Sequence, residues 1–314
     1  MTHTTIVIPT FRRPELLSHC LASCRGLAAP RDGGTWDVLV VDNSPDGEAR
    51  RQVETTAANG NMALRYCHEP KPGISAARNR GISLCKGEYV AFLDDDETAR
   101  KDWLFQLHEA RERYLGVAVF GKVIAQVPGH AEWARAMLKT AFGRDLKHNE
   151  GEVPPNLVNK LGTGNSLFSL NILDDSETFE EALGLIGGED TAVIQKVLHR
   201  GGRLVWAPQA QVYETVADDR ATLRAVLERR FSSGQLRSYH EIQEGIPIVT
   251  AAQWMFLGTG QASIGAARGL LSLVTGQDPR GSLCEIAAGL GKILWFPNLR
   301  LPRYRRTAKS DSNE

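Results

Sequence analysis

Through the first half of the chain, short β-branched and apolar runs alternate with amphipathic stretches, and no other feature restricts the fold so strongly. Parallel strands need a crossover, so repeated alternation marks βαβ units and a mostly parallel sheet. The spacing predicts a strand at 4–9, a helix at 14–27 opened by Pro14 and Glu15, the strand DVLVVD at 37–42, a helix at 47–58 and a strand at 63–67. The loop EPKPG (69–73) then precedes a helix at 74–84, the strand YVAFL at 89–93, a helix at 99–113 and a strand at 117–124. From 128 to 165 the pattern loosens into one helix, AEWARAMLKTAF, and a polar loop, GRDLKHNEGEVPPN; loops of such length are usually functional or mobile. NSLFSL (165–170) reads as a strand. GGED (187–190) opens a helix that Gly201 and Gly202 stop, and strands are expected at 203–206 and 210–213. The apolar run TIVIP starts at residue 5 without a basic preamble and ends in Pro9, which suits a first strand better than a signal peptide.

The 314 residues suffice for two domains, and 42% hydrophobic with 24% charged residues is the composition of a folded globular protein. Lys plus Arg equals Asp plus Glu at 37 each, so net charge gives no reason to expect a nucleic acid partner. The distribution is uneven, because residues 216–314 hold 13 basic against 9 acidic residues. We therefore expect a domain at 1–215 and a helical, Gly/Arg-rich region at 216–314. The second contains an Arg-rich helix at 219–237 and a charge-free stretch, 246–267, too polar for a confident spanning helix of about 20 apolar residues. An interfacial or re-entrant helix pair is expected there. From Lys292 to Lys309 there are six basic residues, no acidic ones, and the aromatics Trp295, Phe296 and Tyr304, a composition suited to the anionic face of a cytoplasmic membrane. The five cysteines are odd in number and lack CxxC spacing, which points to reduced cytoplasm and against a disulfide framework or zinc site.

The sharpest chemical feature is AFLDDDE (91–97), where a buried strand delivers Asp94, Asp95 and Asp96 to the carboxyl edge, where open α/β sheets bind ligands. One aspartate would suffice to cap the next helix; three adjacent carboxylates repel, and Mg²⁺ or Mn²⁺ with phosphate oxygens would neutralise them. Asp42 ends DVLVVD at the same edge, where it could read a nucleoside, although alone it reads as a turn residue. Pro9 and Thr10 add backbone and hydroxyl groups after the first strand. In GISAARNRG (73–81), Arg78 and Asn79 sit one turn into a helix, within reach of a nucleotide, and Arg offers forked donors to phosphate. Glu189 and Asp190 open the GGED helix, where the dipole favours ionised carboxylates, whether for stability or as a base. Together these groups describe a site for a metal, a nucleotide diphosphate and a proton acceptor.

In this company the sequence resembles glycosyltransferase family 2. The resemblance covers about 4–215 and is carried by IVIPTFRRPELL, VLVVDNS, GISAARNRG, AFLDDDE, GTGNSLF and GGEDTAV. It implies a GT-A fold, a Rossmann-like mixed sheet flanked by helices, and inverting transfer of a sugar from a nucleotide sugar. By this resemblance Asp42 contacts the base, Asp94 and Asp96 form the DxD pair with Asp96 on the metal, Asp190 is the catalytic base with Glu189 beside it, and Gly162 to Asn165 line the donor sugar. Where many relatives carry a metal-binding histidine, this chain has Glu214, a candidate third ligand. Arg229 and Arg230 match loosely the basic element that closes over the diphosphate in processive synthases, but no Gln-x-x-Arg-Trp motif is present, so one sugar per encounter is expected. A nearer resemblance, to bacterial exopolysaccharide transferases of the succinoglycan β-1,4-glucosyltransferase type, implies UDP-glucose as donor and a saccharide or polyprenyl-diphosphate-linked acceptor. The alternatives are a metal-dependent nucleotidyltransferase and a non-catalytic sugar-nucleotide-binding protein.

Overall fold

The computed structural model describes residues 2–60, 62–127, 129, 132–173, 178–184, 187–244 and 246–299. The alternation folds as β1 (His3–Thr10), α1 (Pro14–Cys24), β2 (Thr35–Asp42), α2 (Arg50–Ala58), β3 (Leu64–His68), α3 (Ile74–Ser83) and β4 (Tyr89–Phe92). There follow β5 (Glu97–Ala99), α4 (Trp103–Tyr114), β6 (Ala118–Gln126), α5 (Glu132–Phe142), β7 (Gly151–Glu152), β8 (Ser166–Ser169), α6 (Glu189–His199) and β9 (Leu204–Thr215). Three helices complete the described chain: α7 (Leu223–Glu244), α8 (Pro247–Thr275) and α9 (Arg280–Ile293).

The strands form one sheet in the order β3-β2-β1-β4-β8-β6-β9-β5, with β7 also paired to β9. Strands β1 to β4 are mutually parallel, so Thr10, Asp42 and the turn after Phe92 emerge at one edge. Both faces are covered: Ile6, Ile8, Val38 and Val40 enter one apolar core, and Val7, Leu39 and Val41 the other. This explains why the strands read as continuous apolar runs rather than as alternations.

Two expectations are corrected here. The strands expected at 203–206 and 210–213 are the single strand β9, whose pairing with β6 slips between Gly121 and Lys122, so that Gly121 faces Ala207 while Lys122 faces Gln211. Pro208, which has no N–H to donate to a ladder, sits in the slipped segment. The polar loop after α5 also gains structure, the short β7 and a 3₁₀ turn over Pro155–Lys160.

The chain divides into two compact units, Met1–Gly184 with Glu189–Leu223, and Leu185–Gly188 with Arg224–Glu314. Residues 216–223 thus go with the sheet, to which Val216 N–H donates at Gln126 O, 3.1 Å away. In the second unit α8 and α9 approach until a Cβ added at Gly289 would lie 2.6 Å from Gly258 O, a contact only small residues allow. The helix pair expected within 246–267 is instead one helix, α8, continuing to Thr275, with α9 as its partner. Among the described residues no helix is long and apolar enough to cross a membrane. The basic stretch expected at 300–309 lies outside the described residues.

Asp37 gives a stability prediction. Its buried carboxylate accepts hydrogen bonds from Arg65 Nε (2.5 Å) and Thr5 Oγ1 (2.8 Å) and lies 3.1 Å from His3 Nε2. Burial opposes ionisation, but Arg65, Thr5 and His3 prevail and hold Asp37 below the usual carboxylate range. Its contribution is therefore present above the unfolded pKa and lost as pH falls through the lower folded value. Asp37→Asn should cost about 2 kcal/mol at neutral pH. Paired denaturant titrations should show the deficit narrowing below about pH 4; a deficit that does not change with pH would contradict the assignment.

Candidate active site

The sheet topology brings the acids together. Leu93 N–H donates to Val7 O at 3.2 Å, which prolongs the β1–β4 pairing and places Asp94, Asp95 and Asp96 beside Thr10. Antiparallel β8 sets Ser166 opposite Phe92, so the segment Gly162–Asn165 arrives at the same corner. A Cβ added to Gly164 would stand 2.5 Å from Asp94 Oδ2. No side chain fits there beside Asp94.

Arg78 ties this corner to the start of α6. It is buried, donating through Nη1 to Asp190 Oδ1 (2.9 Å) and Glu189 Oε1 (3.3 Å) and through Nη2 to Asp94 Oδ1 (3.3 Å). Arg78, expected within reach of a bound nucleotide, pairs with three acids, and its guanidinium lies over the Phe179 ring. Asn79 is likewise turned inward, its amide exchanging two hydrogen bonds with the backbone of Phe179 (2.8 and 2.9 Å). Glu189 is buried, whereas the Asp190 side chain remains 25% exposed and also accepts a hydrogen bond from Thr163 Oγ1.

Asp95 accepts from Thr10 Oγ1 (2.8 Å) and Arg13 Nη1 (3.0 Å) and is buried. Pro9 is buried in β1, in register with Val41. Asp96 accepts from Arg13 (3.1 Å) and Arg220 (2.9 Å), and the same Arg220 Nη2 donates to Glu214 Oε1 at 3.0 Å. Glu214, expected as a third metal ligand, is thus bound to a guanidinium.

Asp42 is buried at the carboxyl end of β2, but its oxygens accept from Ser44 N–H (2.9 Å), Ala49 N–H (2.8 Å) and Tyr66 O–H (3.1 Å). They hold the loop before α2. The Asn165 amide is engaged as well. It takes a left-handed φ of 52°, accepts from Trp103 Nε1 (2.7 Å), and donates to Lys122 O (2.9 Å) and Ala210 O (3.0 Å), the carbonyls that flank the slip in β9. An asparagine suits both the φ and the demand for a donor and an acceptor. Arg229 and Arg230 fall on α7 in the second unit, both half-buried.

Seven acids (Asp94, Asp95, Asp96, Glu97, Glu189, Asp190 and Glu214) cluster with four arginines (Arg13, Arg78, Arg144 and Arg220), so anionic groups are in excess. Desolvation, opposed by Arg78 and reinforced by Asp96 and Asp190, pushes Asp94 up. Desolvation outweighs Arg13 and Asp96 adds to it, pushing Asp95 up to about 6, while burial and Asp94 hold Glu97 well above the carboxylate range. Added positive charge would relieve all three. Among the described residues no three acids or histidines form a ready-made metal cage. Mg²⁺, however, is commonly held by one or two carboxylates with substrate phosphates completing the shell. The hard oxygens of Asp94 and Asp96 fit that arrangement.

Three groups at this corner escaped sequence reasoning. Arg13 lies inside a recognised segment without a spacing that marks it. Arg220 follows two aspartates and reads as solvated. Arg144 lies in the aperiodic polar loop.

With this geometry established, the comparison with known proteins decides the family: the profile of Glycosyl transferase family 2 matches residues 5–169. The chain belongs to this family. The transferase is 33% identical over 238 residues to succinoglycan biosynthesis protein ExoM of Rhizobium meliloti (strain 1021), covering 74% of this chain and 73% of that one. It is 26% identical over 314 residues to the pre-mycofactocin glycosyltransferase of Mycobacterium tuberculosis (strain CDC 1551 / Oshkosh), covering 95% of this chain and 63% of the relative. Its fold matches the crystal structure of S. aureus TarS 1–349 in complex with UDP-GlcNAc with a TM-score of 0.54 at 17% identity, over 93% of this chain and 90% of that chain. The GT-A-like architecture of the transferase follows, and family membership removes the non-catalytic alternative.

Proposed function

We propose that the chain transfers a hexose, glucose from UDP-glucose, with inversion to a hydroxyl of a saccharide or polyprenyl-diphosphate-linked acceptor during synthesis of a bacterial surface polysaccharide. The observation that carries this reading is Asp190, a partly exposed carboxylate at a helix start, fixed on one oxygen by Thr163 and Arg78 and on the same corner as Asp94. Such a group can take the proton of an attacking hydroxyl. The acceptor oxygen bonds to the anomeric carbon, the bond from that carbon to the β-phosphate oxygen breaks, and UDP departs. Asp94 and Asp96, with the donor's phosphates, would hold a divalent cation, which would neutralise charge on the leaving diphosphate. Arg78 keeps Asp94 and Asp190 in fixed relation, and Thr163 keeps the proton-accepting oxygen oriented.

The donor assignment rests on the resemblance to succinoglycan-type glucosyltransferases; ExoM is a succinoglycan biosynthesis protein, and TarS has been solved with UDP-GlcNAc. A panel of UDP-sugars with Mg²⁺ and Mn²⁺, followed by thermal shift and UDP release, should rank UDP-glucose first. Ranking UDP-GlcNAc first would move the donor assignment, and release of pyrophosphate would indicate nucleotidyl transfer.

Peripheral attachment to the inner face of the plasma membrane rests on the second unit. Ile248, Phe256, Leu271 and Val274 on α8 are exposed, and Arg268 is its one charged residue. An exposed apolar helix in a region whose sequence is rich in Arg suits an anionic bilayer surface. The full chain should sediment with vesicles containing phosphatidylglycerol, and Phe256→Asp with Leu271→Asp should reduce the bound fraction at least tenfold. Equal sedimentation of that variant would rule out α8 as the contact.

A further inference from the structure

Arg144 stands in the polar loop after α5, but its position is fixed by β6, with which it exchanges two backbone hydrogen bonds at Val123 (2.9 and 3.0 Å). From this anchor its guanidinium donates to four carbonyl oxygens. Nε reaches Gly121 O (3.2 Å), Nη1 reaches Gly162 O (2.7 Å), and Nη2 reaches Asn165 O (3.0 Å) and Gly164 O. Three of the four belong to one short segment. That segment touches both ends of the acid cluster: Thr163 donates to Asp190, and Gly164 packs against Asp94. Gly162 lies between the clamp and Asp190, since a Cβ there would be 3.0 Å from Arg144 Nη1 and 3.3 Å from Asp190 Oδ2.

An irregular segment carrying three carbonyls inward needs a donor for each, and only a planar guanidinium presents several at fixed angles. A lysine ammonium at the same place could serve one or two. We infer that Arg144 is a positioning residue for the transfer reaction, holding Gly162–Asn165 so that Thr163 orients the proton-accepting carboxylate of Asp190. The inference rests on the proposed role of Asp190.

The test compares wild type, Arg144→Lys, Thr163→Val and the double variant in the full chain. It measures kcat and donor KM for UDP-sugar transfer and UDP affinity by calorimetry. Arg144→Lys should fold, keep UDP affinity within about threefold, and lose about 100-fold in kcat, the scale of a misplaced general base. Because its effect passes through Thr163, the double variant should be no more than about threefold worse than the poorer single variant. Gly162→Ala, which removes no donor but intrudes between Arg144 and Asp190, should lower kcat with the same preserved UDP affinity, and it serves if Arg144→Lys does not fold. A kcat within threefold of wild type in Arg144→Lys, or in Gly162→Ala where it stands in, would overturn the inference, as would effects that multiply in the double variant or UDP affinity falling in step with kcat. Wild-type turnover separates the two levels: its absence sinks the parent reading, whereas its presence with an unimpaired Arg144→Lys sinks only this one.

Discussion

Asp190→Asn should fold, bind UDP within a few-fold of wild type and transfer sugar at least about 1,000-fold more slowly, within the range a general base contributes. The substitution is nearly isosteric, so the amide oxygen can still accept from Thr163 and Arg78, and the acid cluster keeps its geometry. What disappears is the capacity to take a proton at the second oxygen, Oδ2, which the amide nitrogen replaces. Single-turnover transfer and calorimetry on the same preparation separate the two effects, and undiminished transfer would remove Asp190 from the reaction. Glu189→Gln should behave differently. Glu189 is buried at the first position of α6 and bonded to Arg78, so its loss should appear in stability as well as rate.

The second large effect is expected from Gly164→Ala. A methyl group there would meet Asp94 Oδ2 at 2.5 Å and Cγ at 3.0 Å, and Asp94 cannot yield freely because Arg78 holds its other oxygen and Glu97 Oε2 accepts from its N–H at 3.1 Å. The carboxylate is therefore displaced from the position where it would meet a cation. Cation-dependent UDP affinity should fall at least tenfold with the melting temperature little changed, and calorimetry with and without Mg²⁺ measures both arms. Retained affinity would show that Asp94 is not used in donor binding.

The contrast between Asp94 and Asp95 shows how far sequence carries. That three aspartates leave a buried strand at the ligand-binding edge was legible, because β1, β2 and β4 have the unbroken apolar runs of strands covered on both faces. Which aspartate turns outward was not, since it depends on partners distant in sequence: Thr10 and Arg13 take Asp95, Arg13 and Arg220 share Asp96, and Arg78 takes Asp94. Asn79, Asn165 and Asp42, expected at the nucleotide sugar, have partners within the fold that the sequence does not disclose. A polar side chain at the edge of a sheet reads the same whether it faces a ligand or closes a gap in the backbone, and here the gaps are the Phe179 turn, the slip opposite Gly121 and the loop before α2. The slip itself was invisible because the segment around Pro208 falls between two runs that read as separate strands, 203–206 and 210–213. Arg144 left no periodic signal, and only folding brings it against the GTGN segment.

The corner formed by Asp94, Asp96 and Asp190 is expected to receive a nucleoside diphosphate together with a cation. Calorimetric titration of UDP into the full chain, with Mg²⁺ present and with EDTA, tests this. One binding site per chain is expected, requiring the cation and lost in Asp96→Ala. Binding that is equally strong in EDTA and in Asp96→Ala, or no binding under either condition, would contradict it.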